Sequence, residues 1–373
     1  MENEAVCRLA LTQIKGLGPV GVGKLLARFG SAEAIFRSNK ADWSDGTAFQ
    51  SLCGQRILGH EGEKALQGAE EQLVLNGQRG GCYTLHGSET YPGGLIRCGD
   101  APQIIFFKGK LPAEGARMVS VVGTRKASDY GKKATEQLIR ALRPYDPVIV
   151  SGLAYGIDIH AHRIALSLGM RTMAVLGSGL GRIYPDAHLN EADAMQEKGA
   201  VVSEFFHHEI PQPAHFPKRN RIVAGLSAAT VVVEAGVKGG AWITASLAND
   251  YGREVYAIPG PWSAPTSRGC HQMIASHLAS VLDHPEHLAQ DLNWLEKKPL
   301  SAVVIPEFAQ PVAQALFRHM APMHINDLAH ALHMPISRLH GLLLEMEMNG
   351  WVRWLPGRFV RMEVQFASQE DFG

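Results

Sequence analysis

Six short apolar runs constrain this 373-residue chain more than any other feature: Met118–Val122, Val148–Val150, Thr172–Leu176, Ala200–Ser203, Ala229–Glu234 and Glu254–Ile258. Each is followed by a loop and a helical pattern, as where Ile243–Tyr251 joins the last two. Runs this short and this rich in Val and Ile are strands covered on both faces, and strands alternating with helices form a parallel sheet between helical layers. The fold class that follows is α/β, an extended Rossmann-like, doubly wound, mostly parallel sheet.

In such a sheet the C-terminal strand ends open into loops along one edge, where ligands of open α/β sheets sit. The segments that fall there are Gly123-Thr124-Arg125, Ser151 to Gly156, Gly177 to Gly181, Phe216 to Arg221 and Lys238 to Ala241. Glycines let backbone N–H groups approach an anion, helix N-termini add unpaired donors, and Arg125, Lys126, Arg182, Lys218, Arg219, Arg221 and Lys238 add full charges. Phosphate is the natural ligand. Unpaired bases stack on aromatic rings, and Tyr155, Phe216, Trp242 and Trp262 lie in or beside these loops. Phe216 is the best placed of them, as a stacking face or as a plug beneath the basic turn.

The series Gly123-Thr124-Arg125, Ser151-Gly-x-Ala-x-Gly-Ile-Asp158, Phe216-Pro-x-Arg-Asn-Arg-Ile222, Glu234-Ala235, Ile243-Thr-Ala245 and Pro259-Gly260 closely resembles the DNA-processing protein A family, also called Smf. Tyr91-Pro92, Asp100-x-Pro102 and Phe106-Phe-Lys-Gly109 extend the likeness, which covers roughly Tyr83 to Leu282. The resemblance implies a single-stranded DNA binding protein that helps place the RecA recombinase on DNA in natural transformation. It also implies self-association through the core, with RecA as partner and single-strand-binding protein as a further candidate. The expected DNA-binding set is Gly123, Arg125, Lys126, Phe216, Lys218, Arg219, Asn220, Gly239 and Gly240, within which the resemblance makes Arg125 and Lys218 the leading contacts. Arg219, Asn220 and Arg221 can equally tie the segment to neighbouring strands, and Arg125 can instead pair with Glu204 or Glu234. The chain departs from the family at Gly239-Gly240-Ala241, where Ser usually flanks a Gly, at Trp242, where an aliphatic residue is usual, and at Gly269-Cys270-His271. The first departure removes hydroxyls and leaves the backbone donors.

Formal net charge is zero, from 36 basic and 36 acidic residues, so nucleic-acid binding must be local rather than spread over the surface. No apolar run approaches the roughly 18 residues of a membrane span and no signal-peptide pattern opens the chain, which makes cytoplasm the expectation. Five scattered cysteines without CxxC spacing argue against a disulfide framework and a zinc site, and no cofactor is expected.

Four parts are expected: a helical module at 1–80, the core at 81–298, a proline-containing linker at 299–311 and a winged helix at 312–366. In the first, Leu9–Ile14, Gly16-Leu17-Gly18-Pro19 and Val22–Phe29 read as a helix-hairpin-helix of the DNA-binding kind or as an ordinary helical hairpin, with Trp43 and Phe49 in its core. In the last, helices Val312–Met320, Ile325–Leu332 and Ile336–Asn349 precede strands Trp351–Leu355 and Phe359–Met362. Its third helix carries only Arg338 beside His340, Glu345 and Glu347, which favours protein interaction or no interaction over duplex reading.

Ser151, Asp158, His160, His162 and the His207-His208 pair invite an enzymatic reading. Asp158 sits where it can cap a helix, and His160 and His162, two positions apart, do not share a helix face, so no acid–base constellation assembles from local spacing. The chain is therefore expected not to be an enzyme. The alternatives are a nucleotide or nucleoside-phosphate hydrolase using Glu234 and Arg125, of the phosphoribohydrolase kind that a loose Gly240-to-Thr244 turn suggests, and a non-catalytic nucleotide sensor.

Overall fold

A computed structural model describes residues 2–44, 47–294, 306, 308–319, 322–349, 351–355 and 357–362, in two compact units, 1–295 and 296–373. The first unit begins with helices α1 (Glu2–Leu11), α2 (Pro19–Phe29), α3 (Ala32–Arg37), α4 (Ala48–Ile57) and α5 (His60–Gln78). The sheet elements follow: β1 (Cys82–Leu85), α6 (Gly93–Ile96), β2 (Ile104–Gly109), β3 (Met118–Val122), α7 (Asp129–Leu142), β4 (Val148–Ser151), α8 (Ile157–Ser167) and β5 (Thr172–Val175). They continue with α9 (Leu189–Met195), β6 (Ala200–Ser203), α10 (His215–Leu226), β7 (Ala229–Val232), α11 (Gly240–Asp250), β8 (Glu254–Ala257), α12 (Arg268–Ala275), β9 (Ser280–Val281) and α13 (His287–Asp291).

The nine strands form one sheet in the order β1-β2-β6-β5-β4-β3-β7-β8-β9. Strands β6 through β9 run parallel, whereas β1 pairs with β2 and β2 with β6 antiparallel. All six expected strands are present, and β1, β2 and β9 extend the sheet at its two ends. The order reverses at β3, whose neighbours are β4 and the much later β7, so a crevice opens between β3 and β7 at the C-terminal edge.

Alternation along the strands explains the layers. Met118 and Val122 of β3 pack with Val223 of α10 and Ala245 of α11, while Val119 and Val121 pack with Leu138 of α7 and Ala161 of α8. On β2 and β6, Ile105 and Val202 join the first cluster, whereas Ile104, Phe106 and Val201 join one built from α1 to α5, including Leu9, Leu25 and Ile35. The N-terminal helices thus cover the second face of the antiparallel end of the sheet. The expected separate module at 1–80 lies in the same compact unit as the core, because those strands are apolar on both faces and need a cover there. Trp43 is buried against Phe29, with centroids 4.9 Å apart; the side chain of Phe49 lies outside the described residues.

In the second unit α14 (Gln310–His319), β10 (Met323–His324), α15 (Ile325–Ala331), α16 (Ile336–Met348), β11 (Val352–Leu355) and β12 (Phe359–Met362) form a winged helix with a three-stranded sheet in the order β10-β12-β11. The short β10 escaped the sequence reading because two residues carry no alternation. Most of the expected linker, 299–305 and 307, lies outside the described residues.

His162 of α8 is wholly buried against β5. The Thr172 hydroxyl donates to the Ile149 carbonyl at 2.7 Å and so accepts from His162 Nδ1, also at 2.7 Å, which leaves a buried Nε2 without a partner. Burial pushes this imidazole down from 6.5 to about 3. The folded protein therefore holds His162 neutral over a range in which the unfolded chain takes up a proton. The contribution of His162 to stability is complete above about pH 6.5 and falls by up to roughly 1.4 kcal/mol per pH unit as acidity increases toward pH 3. In denaturant titrations from about pH 7 to about pH 4 the difference in stability between the native protein and His162→Gln should shift with pH by this slope, the native protein losing more as acidity increases.

Candidate nucleic-acid interface

The crevice between β3 and β7 contains a cavity of about 320 Å³. Its walls are the loop after β3 with Gly123, Thr124 and Arg125, the loop after β4 with Gly152 and Ala154, one face of α10, and the Gly236 to Gly240 turn that opens α11. The segment Phe216–Arg221, expected as a loop, forms the first turns of α10, with Pro217 where a helix tolerates it. Helical spacing then turns Phe216, Arg219, Asn220 and Val223 toward the crevice.

Arg219 is 4% exposed and forms the floor. Its guanidinium donates to the Gly152 and Val175 carbonyls at the ends of β4 and β5 and, through Nε, to Asn220 Oδ1 at 3.2 Å. Burial lowers its pKa from 12.5 to about 10, and the nearby Asp158 carboxylate opposes the shift. Asp158 is itself pushed up by burial, with Arg219 as the largest opposing influence. It accepts from the Gly152 N–H at 3.1 Å, so it closes the loop after β4 rather than capping its own helix. A Cβ at Gly152 would strike the Arg219 guanidinium, and Gly156 combines a φ of +81° with a Cβ direction blocked by the Thr124 carbonyl. Only glycine fits either place.

Asn220 bonds Gly240 O through Nδ2 at 3.3 Å and so fixes the turn whose N–H groups open α11. Asn220 and Arg219 are thereby committed to the scaffold through side chains expected among the DNA contacts, although both still line the crevice. Arg221 pairs with Glu204 and donates to Asp100 O at 2.5 Å. The Glu234 carboxylate accepts from Ser128 N at 2.9 Å, Ser128 Oγ at 2.6 Å and Thr266 Oγ1 at 3.0 Å.

Both alternative partners considered for Arg125 are thus taken. Arg125 is exposed, and its guanidinium lies over the Phe216 ring, 5.4 Å from the centroid. Lys126 is exposed beside it, Lys238 stands at the opposite rim, and among the described residues none of the three has an ion pair. Gly239 and Gly240 are exposed at the mouth. Lys218 is exposed too, but it points from the other side of α10 into a separate cavity, so the structure does not bring the two leading cations into one pocket.

Tyr184 was missed by the sequence reading. It is 44% exposed, 6.1 Å from Phe216, and shares a small pocket with Tyr155, Phe216 and Arg125. It reaches this place from beyond the Gly177–Gly181 loop, and its one available signal was an aromatic just after an edge loop. Trp242 is half-buried in the crevice wall, while Trp262 is 91% exposed and lines none of the cavities described here. Among the described residues no cluster of three or more His, Cys, Asp or Glu side chains could hold a metal, and no helix is long and apolar enough to cross a membrane.

Fold and crevice define a doubly wound α/β protein with an anion-receptive, aromatic-lined switch point, carrying a winged-helix unit. The family model of DNA recombination-mediator protein A matches residues 82–293, and the DprA winged helix domain matches 306–358. The chain is 36% identical over 286 residues to protein Smf of Escherichia coli, covering 74% of this chain and 76% of that protein. It is 41% identical over 202 residues to DNA processing protein DprA of Streptococcus pneumoniae, covering 54% and 71%. The solved Streptococcus pneumoniae DprA structure superposes with a TM-score of 0.62 at 31% identity over 77% of this chain and 95% of that one. A Helicobacter pylori DprA structure, described for that protein's single-stranded DNA binding mode, gives 0.51 at 26% identity over 57% and 97%. The chain belongs to the DNA recombination-mediator protein A family, DprA or Smf, and so to the DNA-processing recombination mediators.

Removing the buried cation separates scaffold from surface. Arg219→Ala leaves two strand-end carbonyls without their donor and the buried Asp158 without the charge that opposes its desolvation, and should destabilise the protein by about 3–5 kcal/mol, whereas Arg125→Ala should change stability by under about 1 kcal/mol. Denaturation midpoints of the two variants, compared directly, check this.

Proposed function

We propose that the crevice holds single-stranded DNA along its phosphates and does so without reading sequence there. The observation that carries this is Arg125, exposed and free of carboxylates, stacked on a half-buried Phe216 beside the open turn of α11. Such a rim offers charge to phosphate and rings to bases. The Helicobacter pylori relative's single-strand binding supports the same reading. We further infer that the protein loads the RecA recombinase on the strand it holds, acts as a homodimer and performs no turnover. Family membership supports the first two. The third is supported by Glu234, the acid a hydrolase reading needs, whose carboxylate is occupied by Ser128 and Thr266 and is absent from the cavity lining.

Binding of an oligothymidylate should weaken with salt, with log K falling at a slope near −3 against log salt for about four phosphate contacts. Arg125→Ala and Lys218→Ala should each lower affinity and flatten that slope by roughly 0.7, and Phe216→Ala should cost about 1–3 kcal/mol for each base it stacks. Salt-independent affinity, or equal affinity for blunt duplex, would falsify the assignment.

Light scattering of the purified protein should give twice the chain mass, and a strand-exchange assay should show RecA filaments forming faster in its presence. A strict monomer, or no effect on RecA, removes the corresponding statement. Mononucleotide hydrolysis that disappears in Glu234→Gln would restore the enzymatic reading.

A further inference from the structure

One side of α16 is turned out of the hydrophobic cluster of its own unit. Leu339, Leu343 and Met346 are the buried side. At about 100° per residue, Ser337, Gly341, Leu344 and Met348 fall within about 60° of one another on the opposite side. All four are exposed, Leu344 by 57% and Met348 by 82%. The stripe is polarised along the helix, with small residues in its first half and large apolar ones in its second. A Cβ at Gly341 would meet nothing within 4 Å, so packing inside the unit does not require glycine there.

Two unlike charges stand on one flank of that stripe. Arg338 and Glu345 lie within about 20° of each other around the helix. Both are exposed, and among the described residues neither forms an ion pair. Such a face is complementary to itself when turned end for end. With Arg338 set level with the second copy's Glu345, an even rise along both helices brings Leu344 to the height midway between the second copy's Ser337 and Gly341. A large knob thus meets a hole bounded by the two smallest residues of the stripe. A two-fold axis perpendicular to both helices keeps the charged flanks on the same side, so two Arg338–Glu345 pairs form at once. Parallel pairing sets Arg338 against Arg338, Glu345 against Glu345 and Leu344 against Leu344, and is opposed on each count.

We infer that α16 docks antiparallel on α16 of a second copy of this chain, about a two-fold axis passing between Gly341 and Leu342. The helix has 13 residues, about 20 Å of length, and one face of it falls well short of the roughly 800 Å² per partner of a free-standing interface. The contact therefore does not hold two chains together by itself. It forms between chains already joined elsewhere, where tethering supplies an effective concentration in the millimolar range, and so rests on the homodimer reading above while adding a second contact to it. In DNA-binding winged helices the third helix enters the major groove. Here the pairing covers that helix, in keeping with its single Arg338 beside Glu345 and Glu347.

The test is thiol cross-linking of the full-length protein, with Cys82→Ser removing the exposed native thiol while the other four cysteines stay buried. Gly341→Cys places a thiol beside the two-fold axis, and a short bismaleimide should join two chains through it. Arg338→Glu sets like charges against each other twice and should lower the cross-linked yield roughly fivefold. Adding Glu345→Arg reverses both members of each pair and should restore it. Arg338, Gly341 and Glu345 are all exposed, and light scattering on each variant reports its assembly state separately. A protein that scatters as a dimer yet does not cross-link through Gly341→Cys overturns this contact alone, with α16 then serving the chain's own first unit or a different protein. Cross-linking that ignores Arg338→Glu, or that Glu345→Arg does not restore, overturns the antiparallel pairing. A strict monomer that does not cross-link overturns the homodimer reading and this contact together.

Discussion

The buried guanidinium of Arg219 holds the binding edge in place. Parallel strands end in carbonyls that the sheet no longer satisfies, and in the interior such groups need donors. Arg219 supplies them to β4 and β5 at once, while Asp158 gathers the N–H side of the loop after β4. Asn220, its neighbour on α10, carries the constraint across to the turn before α11. Three loops of the edge are thereby registered against one helix, which sets Phe216 on one side and Lys218 on the other.

Local charge follows from the same bonding. The chain as a whole is neutral, yet the carboxylates nearest the edge are engaged: Glu234 by Ser128 and Thr266, Glu204 by Arg221, Asp158 by loop N–H groups. Arg125, Lys126, Lys218 and Lys238 are left exposed to an incoming anion. A strong local field thus coexists with zero net charge.

The two flanking parts differ in how they relate to a core. The N-terminal helices complete the sheet's second face and share its hydrophobic cluster. The C-terminal unit has a cluster of its own, centred on Leu316, Leu328, Leu339 and Leu343. On α16 the exposed positions Ile336, Leu344 and Met348 are apolar and recur at helical spacing, with Arg338 the basic residue among them. That surface has the weak basic footprint anticipated from its sequence.

Much of the architecture was legible beforehand. A strand buried on both faces must be an unbroken apolar run, so β3 to β8 announced themselves, and a recurring strand-loop-helix order implies a parallel sheet whose ligand edge carries the glycines and cations. The short β10 and the antiparallel β1 and β2 were less visible, because the former is two residues long and the latter are covered by helices distant in sequence. At the site, residue type identified Arg125, Phe216 and the Gly239-Gly240 turn as edge residues. Sequence could not divide the Lys218-Arg219-Asn220-Arg221 run into its parts, since consecutive positions on a helix point about 100° apart and only the packing of α10 decides which face meets solvent. Tertiary structure alone made Arg219 and Arg221 structural, left Lys218 free, brought Tyr184 beside Phe216 and walled a second cavity with a turn some two hundred residues away in the chain. Composition and periodicity determine which segments are buried; which cations keep their charge available depends on where the nearest carboxylates and carbonyls fall once those segments pack.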